Sequence, residues 1–218
     1  GKKYALVGEN GAGKSTVIKL ILGLYDDYDG NIYINGVERR KIRNLYEQVA
    51  VVFQDFAQYE MTLAENLTLG NSSEEKRKHL DRWMRMLWQE EEIRRVFPKG
   101  YETELGYLGE TGKDLSGGQW QRIALVRALL RKGNFYILDE PTAALDPMAE
   151  AELYQNFQRM MEDHGGIIIT HRLGAAKLAD EILLIDHGSV KEQGTHEELM
   201  QEQGSYFAMF QAQGGLYQ

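Results

Sequence analysis

Apolar residues recur on two different periods along this chain. Short unbroken runs form one class: YALVG (4–8), VAVVFQ (49–54), FYILDE (135–140) and GIIITH (166–171). Runs this short and this apolar predict strands buried on both faces, as in a parallel sheet. A helical spacing forms the second class. Val17, Ile18, Ile21, Leu22 and Leu24 follow it in KSTVIKLILGL, and Leu80, Trp83, Met84, Leu87 and Trp88 fall on one helical face. Ile123, Val126 and Leu130 give a third helix its stripe, and AEAELYQNFQRMM (149–161) predicts a fourth between two strands. Ser72 with Glu75, Ser116 with Gln119, and Thr195 with Glu198 each have the spacing of a capping box. Asn35-Gly36 follows the alternating Ile32 and Ile34 and predicts a two-residue hairpin turn. EILLID and SVKEQ flank His187-Gly188 as a second hairpin. These elements predict an α/β fold with a mostly parallel sheet flanked by helices and a small antiparallel β piece. The core takes residues 1–54 and 131–218, and a helical subdomain is inserted at 55–130, all within one domain.

Composition narrows the partners. The chain has 218 residues and is 43% hydrophobic, enough for a packed core. Its net charge of −8 argues against nucleic acid. It has no cysteine, which excludes disulfides and thiolate metal sites and fits a reducing cytosol. No apolar run approaches the roughly 18 residues of a membrane span. The richest early stretch, TVIKLILGLY, is interrupted by Lys19, and no secretory signal opens the chain. The chain alone reads as soluble.

Three motifs carry chemistry. GENGAGKST (8–16) has the spacing G-x-x-x-x-G-K-S/T, between a predicted strand and a predicted helix. Such a loop turns successive backbone N–H groups inward on phosphate oxygens, aided by the positive end of the helix. Gly8, Asn10, Gly11, Ala12, Gly13, Lys14, Ser15 and Thr16 are therefore candidate phosphate-binding residues. Lys14 would reach the terminal phosphates, and the Ser15 hydroxyl would ligate Mg2+. Chance matches in a chain of this length are on the order of one in a hundred. FYILDE ends a strand in Asp139 and Glu140, where open parallel sheets bind ligands. Asp139 suits Mg2+, and Glu140 suits the orientation and deprotonation of a water. In LSGGQ (115–119), Gly117 and Gly118 sit in the first helical turn, where each costs about 1 kcal/mol against alanine. That cost makes sense where backbone must lie against an anion, so Ser116, Gly117, Gly118 and Gln119 form a second candidate phosphate site.

GENGAGKST, LSGGQ and ILDEP together resemble the nucleotide-binding domain of ATP-binding cassette (ABC) proteins, a P-loop NTPase fold, over nearly the whole chain. The resemblance implies an ATPase using ATP and Mg2+. It implies that Gln54 is the Q-loop glutamine, contacting Mg2+ and water, and that His171 is the switch histidine at the γ-phosphate. It also implies that Asp146 lies at a dimer boundary. Family members pair head to tail, with each ATP between the P-loop of one domain and the LSGGQ of the other, so a second nucleotide-binding domain is expected. His79, His164, His187 and His196 are expected at the surface without a role.

TELGYLGETGKDLSGGQ and the tail DHGSVKEQGTHEELMQEQGSYFAMFQ resemble exporters whose membrane and ATPase domains share one chain. There Gly109-Glu110-Thr111-Gly112 would meet the coupling helices of a transmembrane domain, and Phe56 and Tyr59 would line their groove or pack within the subdomain. This places the protein at the cytoplasmic face of a membrane. Importer subunits and soluble repair or translation cassettes are the alternatives; no long coiled coil separates the P-loop from the signature, which disfavours repair proteins. Family members also have two further strands, with an adenine-stacking aromatic, ahead of the P-loop strand. They are expected upstream of Gly1, and Tyr4 is expected to be buried.

Overall fold

The structure is a computed structural model that describes residues 1–69, 74–106, 112–131, 133–141, 154–155 and 164–214. Ser72, Gly109, Glu110, Thr111, Asp146 and most of the predicted helix at 149–161 lie outside the described residues. The chain divides into two compact units. The first comprises Gly1–Val51, Gly133–Glu140 and Met160–Gln218, and the second Val52–Lys132 and Pro141–Arg159. Gln54 thus falls in the second unit rather than with residues 1–51.

The first unit is built on a six-stranded sheet of order β4-β5-β6-β1-β7-β8. Its strands are β1 (Lys3–Val7), β4 (Val49–Val52), β5 (Phe135–Asp139), β6 (Gly165–Ile169), β7 (Glu181–Asp186) and β8 (Ser189–Gly194). β1 runs parallel to β6 and β7, and β5 parallel to β6. Among the registers described within this sheet, only the β7–β8 pair at one edge is antiparallel. Ala5, Val7, Ile137, Ile169 and Ile182 are fully buried, as the unbroken apolar runs require. The Asn35-Gly36 turn forms as read: both residues have positive φ, and they join β2 (Tyr33–Ile34) to β3 (Val37–Glu38) in a separate antiparallel sheet.

Helix α1 (Lys14–Leu22) buries Ile18 and Leu22. Leu24 was expected on that face, but Gly23 stops the helix in a left-handed cap and leaves Leu24 48% exposed. A short helix α2 (Leu45–Gln48) leads into β4. After β6 come α7 (Leu173–Ala176), α8 (His196–Glu202) and α9 (Ser205–Gly214), numbered after the four described helices of the second unit that precede them in the chain. Tyr4 is only half-buried, because the first two residues of β1 lie at the sheet's rim. His79 and His187 are exposed as expected, but His164 and His196 are half-buried. His164 lies against the Tyr136 ring, and His196 meets the hydroxyl of buried Tyr206 at 2.9 Å.

The second unit is helical: α3 (Leu63–Thr68), α4 (Glu74–Leu87), α5 (Glu90–Val96) and α6 (Gly117–Leu129). Leu80, Met84, Leu87 and Trp88 are buried, so the predicted stripe is a packing face. α6 differs from its reading as a one-striped helix. Trp120, Gln121, Ile123, Ala124, Leu125, Val126, Ala128 and Leu129 are all buried, which makes it a central helix packed on α3 and α4. No described helix is long and apolar enough to cross a membrane.

Candidate functional site

The loop between β1 and α1 turns back on itself through three positive-φ glycines, Gly8, Gly11 and Gly13. Gly8 has no alternative: a Cβ there would strike the carbonyl oxygen of Ile185 on β7. The turn between β7 and β8 braces the loop from behind, where the Gly188 N–H donates to the Ala12 carbonyl at 3.0 Å. Asn10, Gly11 and Thr16 are exposed, whereas Ala12 and Lys14 are buried. Lys14 Nζ donates to the carbonyls of Gly8 and Glu9, both at 2.9 Å, so the ammonium sits inside the curl of the loop. Burial lowers its pKa, against the attraction of Glu140 and Asp139.

The end of β5 brings both acidic groups here. Asp139 closes β5 and is 4% exposed; the Ser15 hydroxyl donates to its Oδ1 at 3.1 Å. Burial raises the Asp139 pKa above the usual carboxylate value, the Ser15 bond opposes the shift, and Glu140 adds to it. A buried carboxylate beside a hydroxyl is a hard oxygen pair of the kind that suits Mg2+. Among the described residues no group of three or more His, Cys, Asp or Glu could cage a metal.

Glu140 takes a left-handed backbone, φ 49, costly for a residue with a Cβ. Its N–H donates to the Ile169 carbonyl at 3.0 Å, which fixes the turn against the end of β6. His171, two residues beyond that carbonyl, has Nδ1 at 3.1 Å from Glu140 Oε1. The parallel register of β5 and β6 therefore joins residues 31 positions apart in sequence. Lys14, Ser15, Asp139, Glu140 and His171 are thus assembled within one unit.

In the second unit, Gln54 is exposed just past β4. Ser116 caps α6 as read: its hydroxyl accepts from the Gln119 N–H, and the Gln119 side chain accepts from the Ser116 N–H at 3.0 Å. Ser116 and Gly117 are exposed, and Gly118 and Gln119 half-buried. Three supporting residues were not found by sequence reasoning. Glu92 on α5 grips both terminal nitrogens of Arg122 at 2.7 and 2.9 Å and accepts from Gln119 Nε2 at 3.4 Å. The Arg122 guanidinium also lies 4.2 Å from the Trp88 ring centroid. Arg127 donates to the Ala57 carbonyl and to Asn66 Oδ1, pinning the segment after Gln54. For Arg122 and Arg127 the only sequence signal was charge inside a largely apolar helix, and Glu92, in the charged run EEEIRRV, gave none.

The family profile described as ABC transporter matches residues 1–143. The subtilin transport ATP-binding protein SpaT of Bacillus subtilis is 44% identical over 207 residues, covering 92% of this chain and 33% of the relative. The ATP-dependent lipid A-core flippase of Haemophilus influenzae is 38% identical over 215 residues, covering 98% of this chain and 36% of the relative. Among solved structures, a bacterial Atm1-family ABC exporter with ATP bound superposes with a TM-score of 0.87 at 32% identity, over 98% of this chain and 37% of the other. The chain spans about a third of the length of the curated relatives it matches.

Proposed function

The chain belongs to the ABC transporter family, as an ATPase domain of its exporter type, and from that premise we propose that it binds Mg-ATP and hydrolyses it to drive transport. The observation that carries the catalytic reading is the Glu140–His171 contact at 3.1 Å on two adjacent strand ends, in the unit that also holds the Lys14 loop. In this reading Lys14 and the backbone N–H groups of residues 8 to 16 bind the β- and γ-phosphates. Mg2+, held by Ser15 and Asp139 with Gln54, would neutralise charge on the phosphate oxygens. Glu140 accepts the proton of the attacking water, and the strained backbone under it keeps the carboxylate in one place. His171 faces the γ-phosphate and holds Glu140.

The LSGGQ segment, Ser116 to Gln119, offers its helix start to the ATP of a second nucleotide-binding domain, with Asp146 at the boundary. The core and the helical unit act as one cassette domain. A transmembrane domain, reached through coupling helices at the cytoplasmic face of a membrane, completes the transporter.

Glu140→Gln tests the catalytic step. An amide keeps the shape but cannot take a proton, so turnover should fall by about 10²–10⁴-fold while nucleotide binding is retained. Near-normal turnover in this variant would remove Glu140 from the role of base.

A further inference from the structure

Residues 170 to 173 carry His171 from β6 into α7, and side chains hold much of this connection in place. Thr170 is buried and its N–H donates to the Leu6 carbonyl at 3.1 Å. The Arg172 N–H donates back to Thr170 Oγ1 at 2.9 Å. From the other side comes Gln213, on the last turn of α9. Its Oε1 accepts from the Leu173 N–H at 2.9 Å, and its Nε2 donates to the His171 carbonyl at 2.5 Å. One carboxamide thus bonds the C=O of one residue and the N–H of the residue two further on. A neighbouring parallel strand would make the same pair of bonds.

The platform behind Gln213 is well fixed. The Glu192 carboxylate accepts from the N–H groups of Ser205 and Tyr206, at 2.5 and 2.9 Å, at the start of α9. Tyr206 is fully buried in a cluster with Leu173 and Ala176, and Met209 and Phe210 pack against it. Tyr206, Met209, Phe210 and Gln213 fall at i, i+3, i+4 and i+7, a single helical face. A glutamine on an apolar face is costly unless both ends of its amide are bonded, as they are here.

We propose that Gln213 is a positioning residue for His171, so that the C-terminal helix sets the geometry of hydrolysis. This rests on the reading of His171 given above. Gln213→Leu keeps bulk on the α9 face but removes donor and acceptor. At saturating Mg-ATP its turnover should fall about tenfold, as for loss of an ordinary hydrogen bond, with the KM for ATP and the thermal midpoint nearly unchanged. Amide exchange at Leu173 should accelerate by about tenfold. In a His171→Ala background the same substitution should lower turnover no further, whereas a merely structural role would lower it again.

Turnover within about twofold of wild type, or an equal loss in the His171→Ala background, overturns the proposal. So does unchanged exchange at Leu173, whatever the activity. A wild-type protein without ATP turnover sinks the reading of the site instead, and the exchange measurement then decides alone whether Gln213 holds the loop.

Discussion

Glu92 and Arg122 should be coupled far more strongly than any surface ion pair on this protein. The pair is a two-pronged fork, at 2.7 and 2.9 Å, between side chains that are each 19% exposed. The guanidinium also lies over the Trp88 ring. Hydrogen bonds to charged groups contribute about 1.5–3 kcal/mol each, and desolvation of both ions offsets part of that. A net coupling of about 2 kcal/mol follows. Glu92→Ala should then lower the thermal midpoint by about 4–8 °C, at about 2–4 °C per kcal/mol for a chain of this size.

A double-mutant cycle of Glu92→Ala and Arg122→Ala, followed by urea unfolding, measures the coupling. It also cancels the loss of stacking on Trp88. Glu90 and Arg94 supply the control: they pair at 2.8 Å, but their side chains are 67% and 76% exposed. That cycle should give about 0.3–0.5 kcal/mol and vanish near 1 M salt, where screening acts beyond about 3 Å. The Glu92 cycle should survive the same salt. Burial pushes the Glu92 pKa up, but the Arg122 hydrogen bonds and charge, with Gln119, bring it below 4.5. Its contribution is therefore present above the unfolded value and lost as pH falls through the lowered folded value. A coupling at the level of the Glu90 pair, with the same salt sensitivity, would refute the reasoning.

Two further outcomes test the phosphate and metal sites. Asp139→Asn should raise the thermal midpoint of the nucleotide-free protein at neutral pH, while weakening the Mg2+-dependence of ATP binding. Burial raises the Asp139 pKa, so its contribution is complete below the unfolded value and is lost as pH rises through the folded one; a lowered midpoint, with Mg2+-dependence intact, would contradict this. Ser116→Arg and Lys14→Ala should each be inactive alone but should recover some turnover when mixed, because opposed half-sites leave one composite site whole. Proven heterodimers without activity would count against the head-to-tail arrangement.

Local chemistry made most of the candidate site legible. Lys14 and Ser15 follow Gly13 directly, and Asp139 and Glu140 close one apolar run, so spacing alone locates them. The α6 cap needs only residues three apart. What stayed hidden is set by pairing at a distance. Arg122 meets Glu92 across 30 positions, Arg127 meets Asn66 across 61, and Leu173 meets Gln213 across 40. No periodicity reports such a partner, because each depends on which helices the core brings together. The positive φ of Glu140 was hidden for a related reason: it arises where β5 ends against the Ile169 carbonyl of a strand more than two dozen residues on. Strand order was hidden too, since β1 lies between β6 and β7.

The caps show why LSGGQ differs from an ordinary helix start. Among the described residues three capping boxes form with the same two bonds, at Thr62, Ser116 and Thr195. Each box satisfies the N–H of the cap residue and of the third helical residue, and leaves the two N–H groups between them. At Thr62 the first of these is taken, because Leu63 donates to the Thr103 carbonyl at 2.9 Å. At Thr195 the two positions are His196 and Glu197, and a carboxylate there repels an anion. At Ser116 they are Gly117 and Gly118, with no side chain to cover the donors and no charge to oppose a phosphate. The cap holds the helix, and neither glycine puts a side chain over its positive end. An alanine pair would satisfy the helix better by about 2 kcal/mol, a cost that the proposed approach of a phosphate to this helix start would account for.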